Sequence, residues 1–531
     1  MITLKNGYVA VILHAHLPFV RHPEHSDFLE ERWLFEAISE TYIPLLNSFE
    51  ALIEENIDYR VTMSITPPLL TMLTDSLLQE RYIRYLKKLI QLSEKEMERT
   101  KDLPEFHSLS KMYNEKYKND LYVFVDKYKC NIVDAFKRLQ DTGKLEIIAC
   151  AATHGYLPIM NVTPQAINAQ ITIGVEVYEQ FFGKKPRGIW LPECGYDPIV
   201  DKFLRNNGIE YIITESHGVL FANPRPVFGT FSPIVTPNGI VAFGRDIESS
   251  KQVWSANEGY PGDPDYRDFY RDVGYDLDYD YIKNYILSDG QRIQTGIKYY
   301  RITGKTNEKK PYDPESAKRK ARIHANDFIS NREKQIKYLN GIMDRPPIIV
   351  CPYDAELFGH WWFEGPYWLY SLFKNINLNQ DTFQLTTLSE YMAANPIMQV
   401  SSPCSSSWGY KGFSEVWLNS SNDWIYRHLH KSAERMVELA NQYKSAEGLM
   451  KEALNQAARE VLLAQSSDWA FIMKTGTMVQ YAVKRTRDHI GRFFRLYHDI
   501  KENNIDEAWL KDTQSRDNIF PSIDYRIYSS M

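Results

Sequence analysis

The chain has 531 residues, 44% of them hydrophobic, enough apolar material for two or three packed units. A formal net charge of −6, with no run of five or six like charges, excludes a nucleic-acid footprint and a polybasic membrane patch. Aromatic residues reach 13%, including 35 Tyr and 11 Trp, which suits stacking on sugar rings as well as ordinary packing.

The first apolar run, YVAVILHAH (8–16), holds His14 and His16 and lacks a basic leader and cleavage site, so it reads as a strand rather than a signal peptide. YRVTMSIT (59–66) follows. Residues 84–143, charged and helical in period, read as an insertion. Next come KLEIIACAATH (144–154), RGIWLPE (187–193), IEYIITESH (209–217) and IVAFGRD (240–246). A second, Tyr-rich insertion spans about 255–330, with nine tyrosines between 260 and 300 and a basic helical stretch at its end. PPIIVCPYD (346–354) is the seventh run. All seven are near-continuously apolar and turn polar at their C-terminal ends, as strands buried on both faces of a parallel sheet do, and helical crossovers fit between them. The expected fold is α/β: an irregular seven-stranded parallel (β/α)7 barrel over residues 1–400 with two rim insertions. After residue 400 the period becomes that of long amphipathic helices, so 401–531 is expected to form a C-terminal helical domain. Five scattered cysteines without a CxxC pair, and no run of eighteen apolar residues, point to a cytoplasmic protein with reduced thiols.

Active sites of parallel α/β barrels lie at the C-terminal ends of the strands. Those ends read His14/His16, Thr66, His154, Glu193, His217, Arg245/Asp246 and Asp354/Glu356. Glu193 and Asp354 fall on strands that a closed barrel brings to opposite sides of one cavity. Glycosidic bond cleavage needs such a pair: one carboxylate attacks the anomeric carbon, and an acid of raised pKa protonates the leaving oxygen. Trp190, Cys194, Cys351, Trp361 and Trp362 are candidate low-polarity walls, and Glu356 a supporting acid on the face of Asp354. The bland alternatives are a helix cap or an Arg partner for each acid, and a satisfied core position for each histidine. A rival reading starts from HAH at the first strand, later histidines and a final Asp, a pattern shared by metal-dependent hydrolases on α/β barrels. It leaves Glu193 without a purpose. A third reading is a non-catalytic carbohydrate-binding protein.

Five short regions, in order, resemble those of glycoside hydrolase family 57, within it the cytoplasmic α-amylase and 1,4-α-glucan branching enzyme group. They are HAHLPF (14–19), ATHGYLP (152–158), WLPECGY (190–196), PYDAELFGHWWFEGP (352–366) and SSSWGYKGFSEVWLNSSNDWIYRHLH (405–430). The resemblance implies an α-1,4-glucan partner and a retaining mechanism with no metal or other cofactor, Glu193 acting as nucleophile and Asp354 as general acid/base. It also implies that Trp408, Trp417 and Asp468 approach the site from the C-terminal part, the tryptophans stacking on glucose rings. His14, His16, His154, Trp190, Arg245, Trp254, His360 and Trp361 complete the expected substrate-binding set. One departure stands out: branching members carry a tyrosine on a loop after the fifth strand, and residues 212–259 contain none. A lid that excludes water favours transfer to a glucan hydroxyl. Hydrolysis of the α-amylase type is therefore expected ahead of branching, while the aromatic insertion, with Trp254 at its start, offers another shield.

Overall fold

The computed structural model describes residues 6–255, 258–287 and 289–529. Its sheet holds, in chain order, β1 (Tyr8–Ala15), β2 (Val61–Ile65), β3 (Leu145–Cys150), β4 (Gly188–Trp190), β5 (Tyr211–Thr214), β6 (Ile234–Val235), β7 (Val241–Gly244), β8 (Ile348–Asp354), β9 (Gln384–Leu385) and β10 (Gln399–Val400). Each of the seven apolar runs supplies one strand. β6, β9 and β10 have two residues each, too few to show a period, so the expected count of seven falls short of the ten described. The sheet path is β10-β6-β7-β5-β4-β3-β2-β1-β8, with β9 beside β1. From β7 to β8 along this path every pair is parallel, and β6 lies antiparallel to β7. The result is a curled, parallel-rich sheet. Just past the end of β7, the Asp246 N–H donates to the Val350 carbonyl of β8 at 2.9 Å.

Successive residues of a strand face opposite ways, and β1 uses both faces. Val9, Val11, Leu13 and Ala15 join the large core under the helices, whereas Ala10 and Ile12 join a second cluster with Ile148, Trp190, Phe243 and Val350. Following that inner row to the strand ends reaches His14, Asp354 and Ser64, which the register sets side by side. The polar rung at the top of an apolar column is thus fixed by strand period alone.

The stretch 84–143 is helical, as the helices Ser76–Arg99, Pro104–Tyr122 and Ile132–Asp141 joined by a short π-helical segment, the last helix leading into β3. Residues 258–287 and 289–313 are mostly irregular, organised in part by buried Asp272, which accepts from the backbone N–H groups of Gly274, Thr295 and Gly296. The basic stretch beyond them is the helix Pro314–Asn340, whose Ala317, Ala321, Ala325 and Phe328 face inward at helical spacing; it is the crossover into β8. The C-terminal helices are Tyr426–Gln442, Gly448–Ala464, Ser467–Thr475, Val479–Lys501 and Glu507–Arg516. They begin at Tyr426, because residues 401–425 cross the sheet instead, bridging Asn223 through Ser402 and Tyr196 through Ser406. Among the described residues no helix is long and apolar enough to cross a membrane.

Two glycines test this packing. A Cβ on Gly174, where the helix Pro164–Phe182 crosses β3, would stand 2.1 Å from the Cys150 carbonyl oxygen, whereas one on Gly491 in the helix Val479–Lys501 meets open space. We expect Gly174→Ala to lower the thermal midpoint through overpacking worth at least about 1–3 kcal/mol. Gly491→Ala should raise it through helix propensity worth up to about 1 kcal/mol. Thermal unfolding followed by circular dichroism checks the signs, and shifts in the same direction would contradict the packing described.

Candidate active site

Beyond the strand ends the chain turns sharply. His154 (φ 58°), Glu193 (φ 62°) and Cys194 (φ 49°) occupy the left-handed region, which costs non-glycine residues roughly 1–3 kcal/mol each. Backbone bonds from the C-terminal part hold two of them: Ser467 N–H donates to the His154 carbonyl and Trp408 N–H to the Glu193 carbonyl, each at 3.0 Å. The same two residues reach the Glu193 side chain. The Trp408 indole N–H donates to Oε2 at 2.9 Å and the Ser467 hydroxyl to Oε1 at 2.8 Å.

Four carboxyl groups crowd this site, and their partners differ. Burial pushes Glu193 up from the usual carboxylate range, Trp408, Ser467 and His16 pull it back, and Asp468 adds to the rise. Asp354 makes no side-chain hydrogen bond among the described residues; burial, then the neighbouring Glu356 and Glu193, hold it well above its ordinary value against the pull of Arg245. Glu356 accepts from the Tyr42 hydroxyl at 2.6 Å and the His16 backbone N–H at 3.2 Å. Tyr42 sits at the end of a π-helical turn, Ile38–Tyr42, that interrupts its helix at this point. Asp468 pairs with His16 Nε2 at 3.0 Å. Burial lowers His16, but Asp468, Glu193 and Glu356 together outweigh it and raise the imidazole. Asp468 itself is driven up by burial and down, with a net fall, by His16 and Ser466. His16 and Asp468 therefore form an ion pair.

His14 and His154 behave oppositely. Burial and the charge of His16 hold both well below the usual imidazole range, so both are neutral. They bond to each other through Nε2 at 3.0 Å, His14 Nδ1 meets the Ser64 hydroxyl at 2.6 Å, and His154 Nδ1 meets the Ser467 hydroxyl at 2.8 Å. Trp190, fully buried, stacks on His14 at 4.6 Å and stands edge-on to Trp408 at 5.1 Å. Trp190, His14 and His154 thus form the floor beneath the acids rather than an exposed lining. Arg245 pairs with Glu215 at 3.0 Å, and its guanidinium lies 5.8 Å from the Trp408 ring. From there an open groove of about 410 Å³ leads past Ser250 and Lys411 to Trp254, which is exposed.

Trp417, His360 and Trp361 make no hydrogen bond to the acids and, unlike Trp190, Arg245 and Trp254, have no place in the floor or the groove beside them. Trp417 is 1% exposed with its ring on Tyr156 at 4.7 Å, so it has no free face for a sugar: the indole that the family-like region 405–430 offered occupies a core position. His360 bonds to Glu40 Oε2 at 2.7 Å, and Trp361, 54% exposed, stacks on Phe269 of the second insertion at 4.4 Å. Conversely, Ser64, Ser467, Glu215 and Tyr42 went unnoticed in the sequence. Only Ser64 left a legible signal, the alternation Thr62, Ser64, Thr66 on one face of an otherwise apolar strand.

The atoms of His16, His154 and Asp468 that are able to bind a metal lie within 4.8 Å of one another. They fit one poorly, since His16 Nε2 already faces Asp468 and both nitrogens of His154 are engaged.

The model for glycosyl hydrolase family 57 matches residues 10–313, and one described as 1,4-alpha-glucan branching enzyme, C-terminal, matches residues 428–528. The chain is 33% identical to a 1,4-alpha-glucan branching enzyme from Thermococcus kodakarensis, across 97% of this chain and 77% of that one. Among solved structures it is similar to an alpha-amylase from Thermotoga maritima, with 49% identity, a TM-score of 0.93 and 99% of both chains covered. It is also similar to a branching enzyme from Pyrococcus horikoshii, with 34% identity, a TM-score of 0.89, and 99% and 97% of the two chains covered. Matched over more than half its length by the family model and over nearly all of it by these relatives, the chain belongs to glycosyl hydrolase family 57.

Proposed function

We propose that the protein is a retaining glycosidase of α-1,4-glucans in which Glu193 is the nucleophile and Asp354 the general acid/base. One observation carries the assignment: Glu193 receives two fixed donors, Trp408 and Ser467, while Asp354 receives none. The first arrangement suits a carboxylate that must be ionised before attack, the second an acid that must hold a proton until the leaving oxygen needs it.

Glu193 attacks C1 of a bound glucosyl unit as Asp354 protonates the departing 4-oxygen, leaving a glycosyl ester with inverted configuration. Asp354, now ionised, removes the proton of the incoming acceptor, whose oxygen displaces Glu193 and restores the original configuration. Trp408 and Trp254, which line the groove together with Arg245, are suited to sugar faces. The inner row of seven parallel strands serves as a closed barrel, a reading supported by the Asp246 to Val350 bond. Free, buried Cys150, Cys194 and Cys351 support a cytoplasmic location.

Water is the favoured acceptor, because residues 212–259 supply no tyrosine to cover the site and the groove beside it is open. The match of residues 428–528 to a branching-enzyme C-terminal model supports a second reading, transfer to a glucan 6-hydroxyl. Incubation with amylose, followed by proton NMR, separates them. Reducing ends rising without α-1,6 signal are expected; α-1,6 linkages growing with few reducing ends would make branching the main reaction. EDTA should leave the rate unchanged, and a loss restored by Zn²⁺ would overturn the metal-free mechanism.

The roles also predict rates. Glu193→Ala and Asp354→Ala should keep the wild-type circular dichroism spectrum yet lose at least ~3 kcal/mol of transition-state stabilisation, roughly a hundredfold or more in kcat/KM. Substantial glucan turnover by either purified variant would remove that residue from its role.

A further inference from the structure

Five groups form one unbranched chain of hydrogen bonds through the floor of the site: Ser64, His14, His154, Ser467 and Glu193. The four links measure 2.6, 3.0, 2.8 and 2.8 Å. Its members come from β2, β1, the turn after β3, the start of the helix Ser467–Thr475 and the turn after β4. Ser64, His14 and His154 are at most 2% exposed, so bulk water does not exchange with these links.

The chain has only two self-consistent proton arrangements. An ionised carboxylate only accepts, so the Ser467 hydroxyl must donate to Glu193 Oε1 and accept from His154 Nδ1–H. A neutral His154 then carries no proton on Nε2 and accepts from His14 Nε2–H, and neutral His14 accepts at Nδ1 from the Ser64 hydroxyl. In the reversed arrangement His14 Nδ1–H donates to Ser64, His154 Nε2–H donates to His14, and Ser467 turns its hydroxyl to His154, away from Glu193. Ser64 has a hydroxyl proton to give, and Glu193 has a charge that needs one, so the two ends select the first arrangement together.

We propose that Ser467 is a positioning residue for the nucleophile, and that Ser64, His14 and His154 form a polarised relay locking its hydroxyl onto Glu193. The inference rests on the reading of Glu193 as nucleophile and extends it to Ser467, His154, His14 and Ser64. Glu193 also faces His154, the His16–Asp468 ion pair, Asp354 and the Trp408 indole; of these only His154 Nδ1 approaches Oε1, and at 3.7 Å it is too far to take the place of the Ser467 donor.

The test uses the intact protein and a 5-fluoro-α-maltosyl fluoride, which forms the glycosyl ester but turns it over slowly. Mass spectrometry of the labelled peptide identifies the nucleophile, and the rate of labelling against pH reports its ionisation. Loss of the Ser467 donor raises the pKa of Glu193, so in Ser467→Ala the acid limb should move to higher pH by about one unit, with the basic limb in place. Ser467→Thr, which keeps the hydroxyl, should restore the limb. Ser64→Ala, four hydrogen bonds away, should move it in the same direction by a smaller amount, because the reversed arrangement becomes accessible. This second variant also carries the test if Ser467→Ala does not fold. A uniform loss of rate with an unmoved acid limb in Ser467→Ala, or a limb unmoved in Ser64→Ala, would overturn the relay. Label on a residue other than Glu193 would instead defeat the nucleophile assignment beneath it.

Discussion

On the proposed assignment the site depends on keeping one carboxylate, Glu193, charged where burial and the neighbouring charge of Asp468 oppose it. Leaving such a group unsolvated costs several kcal/mol, and a protein interior offsets this only with donors fixed in place. Around Glu193 the acids are therefore treated unequally. Asp468 has its charge balanced by His16, Glu356 accepts from Tyr42 and the His16 backbone, and Glu193 takes Trp408 and Ser467. Asp354 alone has no such donor among the described residues, which suits a group that must carry a proton. On the proposed assignment, the unequal supply of donors among chemically similar groups is what separates nucleophile from acid.

The fold meets this constraint by drawing on distant segments. Period-two strands place His14, Ser64 and Asp354 on one rung, and the turns after β3 and β4 bend into left-handed conformations that aim His154 and Glu193 toward it. Those turns are held by residues far along the chain. Trp408 and Ser467 each grip the site twice, once by backbone to a strained carbonyl and once by side chain to Glu193. The part of the chain beyond residue 400 is thus a component of the site, with the strain of one segment relieved by bonds from another.

Much of the strand framework was legible because a fully buried strand leaves a near-continuous apolar run whose polar terminus stands out, as in YVAVILHAH and PPIIVCPYD. β6, β9 and β10 were not, since two residues carry no period. Glu193, Asp354, His14, His16, His154, Arg245 and Trp408 were visible at strand ends or in the five family-like regions, and Asp468 through what the resemblance implies; the structure gathers them. Trp417 shows the limit of that logic: an indole in an aromatic motif looks the same whether it meets Tyr156 in the core or a sugar in a cleft. Ser467 shows the opposite limit. A serine beside an aspartate is unremarkable until the chain returns across hundreds of residues to set its hydroxyl on Glu193.

The most direct test of the division between the two carboxyl groups is stereochemical. Glu193→Ala and Asp354→Ala would each be given an aryl α-maltoside and azide, an anion small enough to occupy the space the alanine leaves, and the anomeric configuration of the maltosyl azide determined by NMR. The assignment predicts α-azide from Asp354→Ala, formed by attack on a normal glycosyl–Glu193 ester, and β-azide from Glu193→Ala, where azide replaces the nucleophile. β-Azide from Asp354→Ala together with α-azide from Glu193→Ala would exchange the two roles and contradict the account.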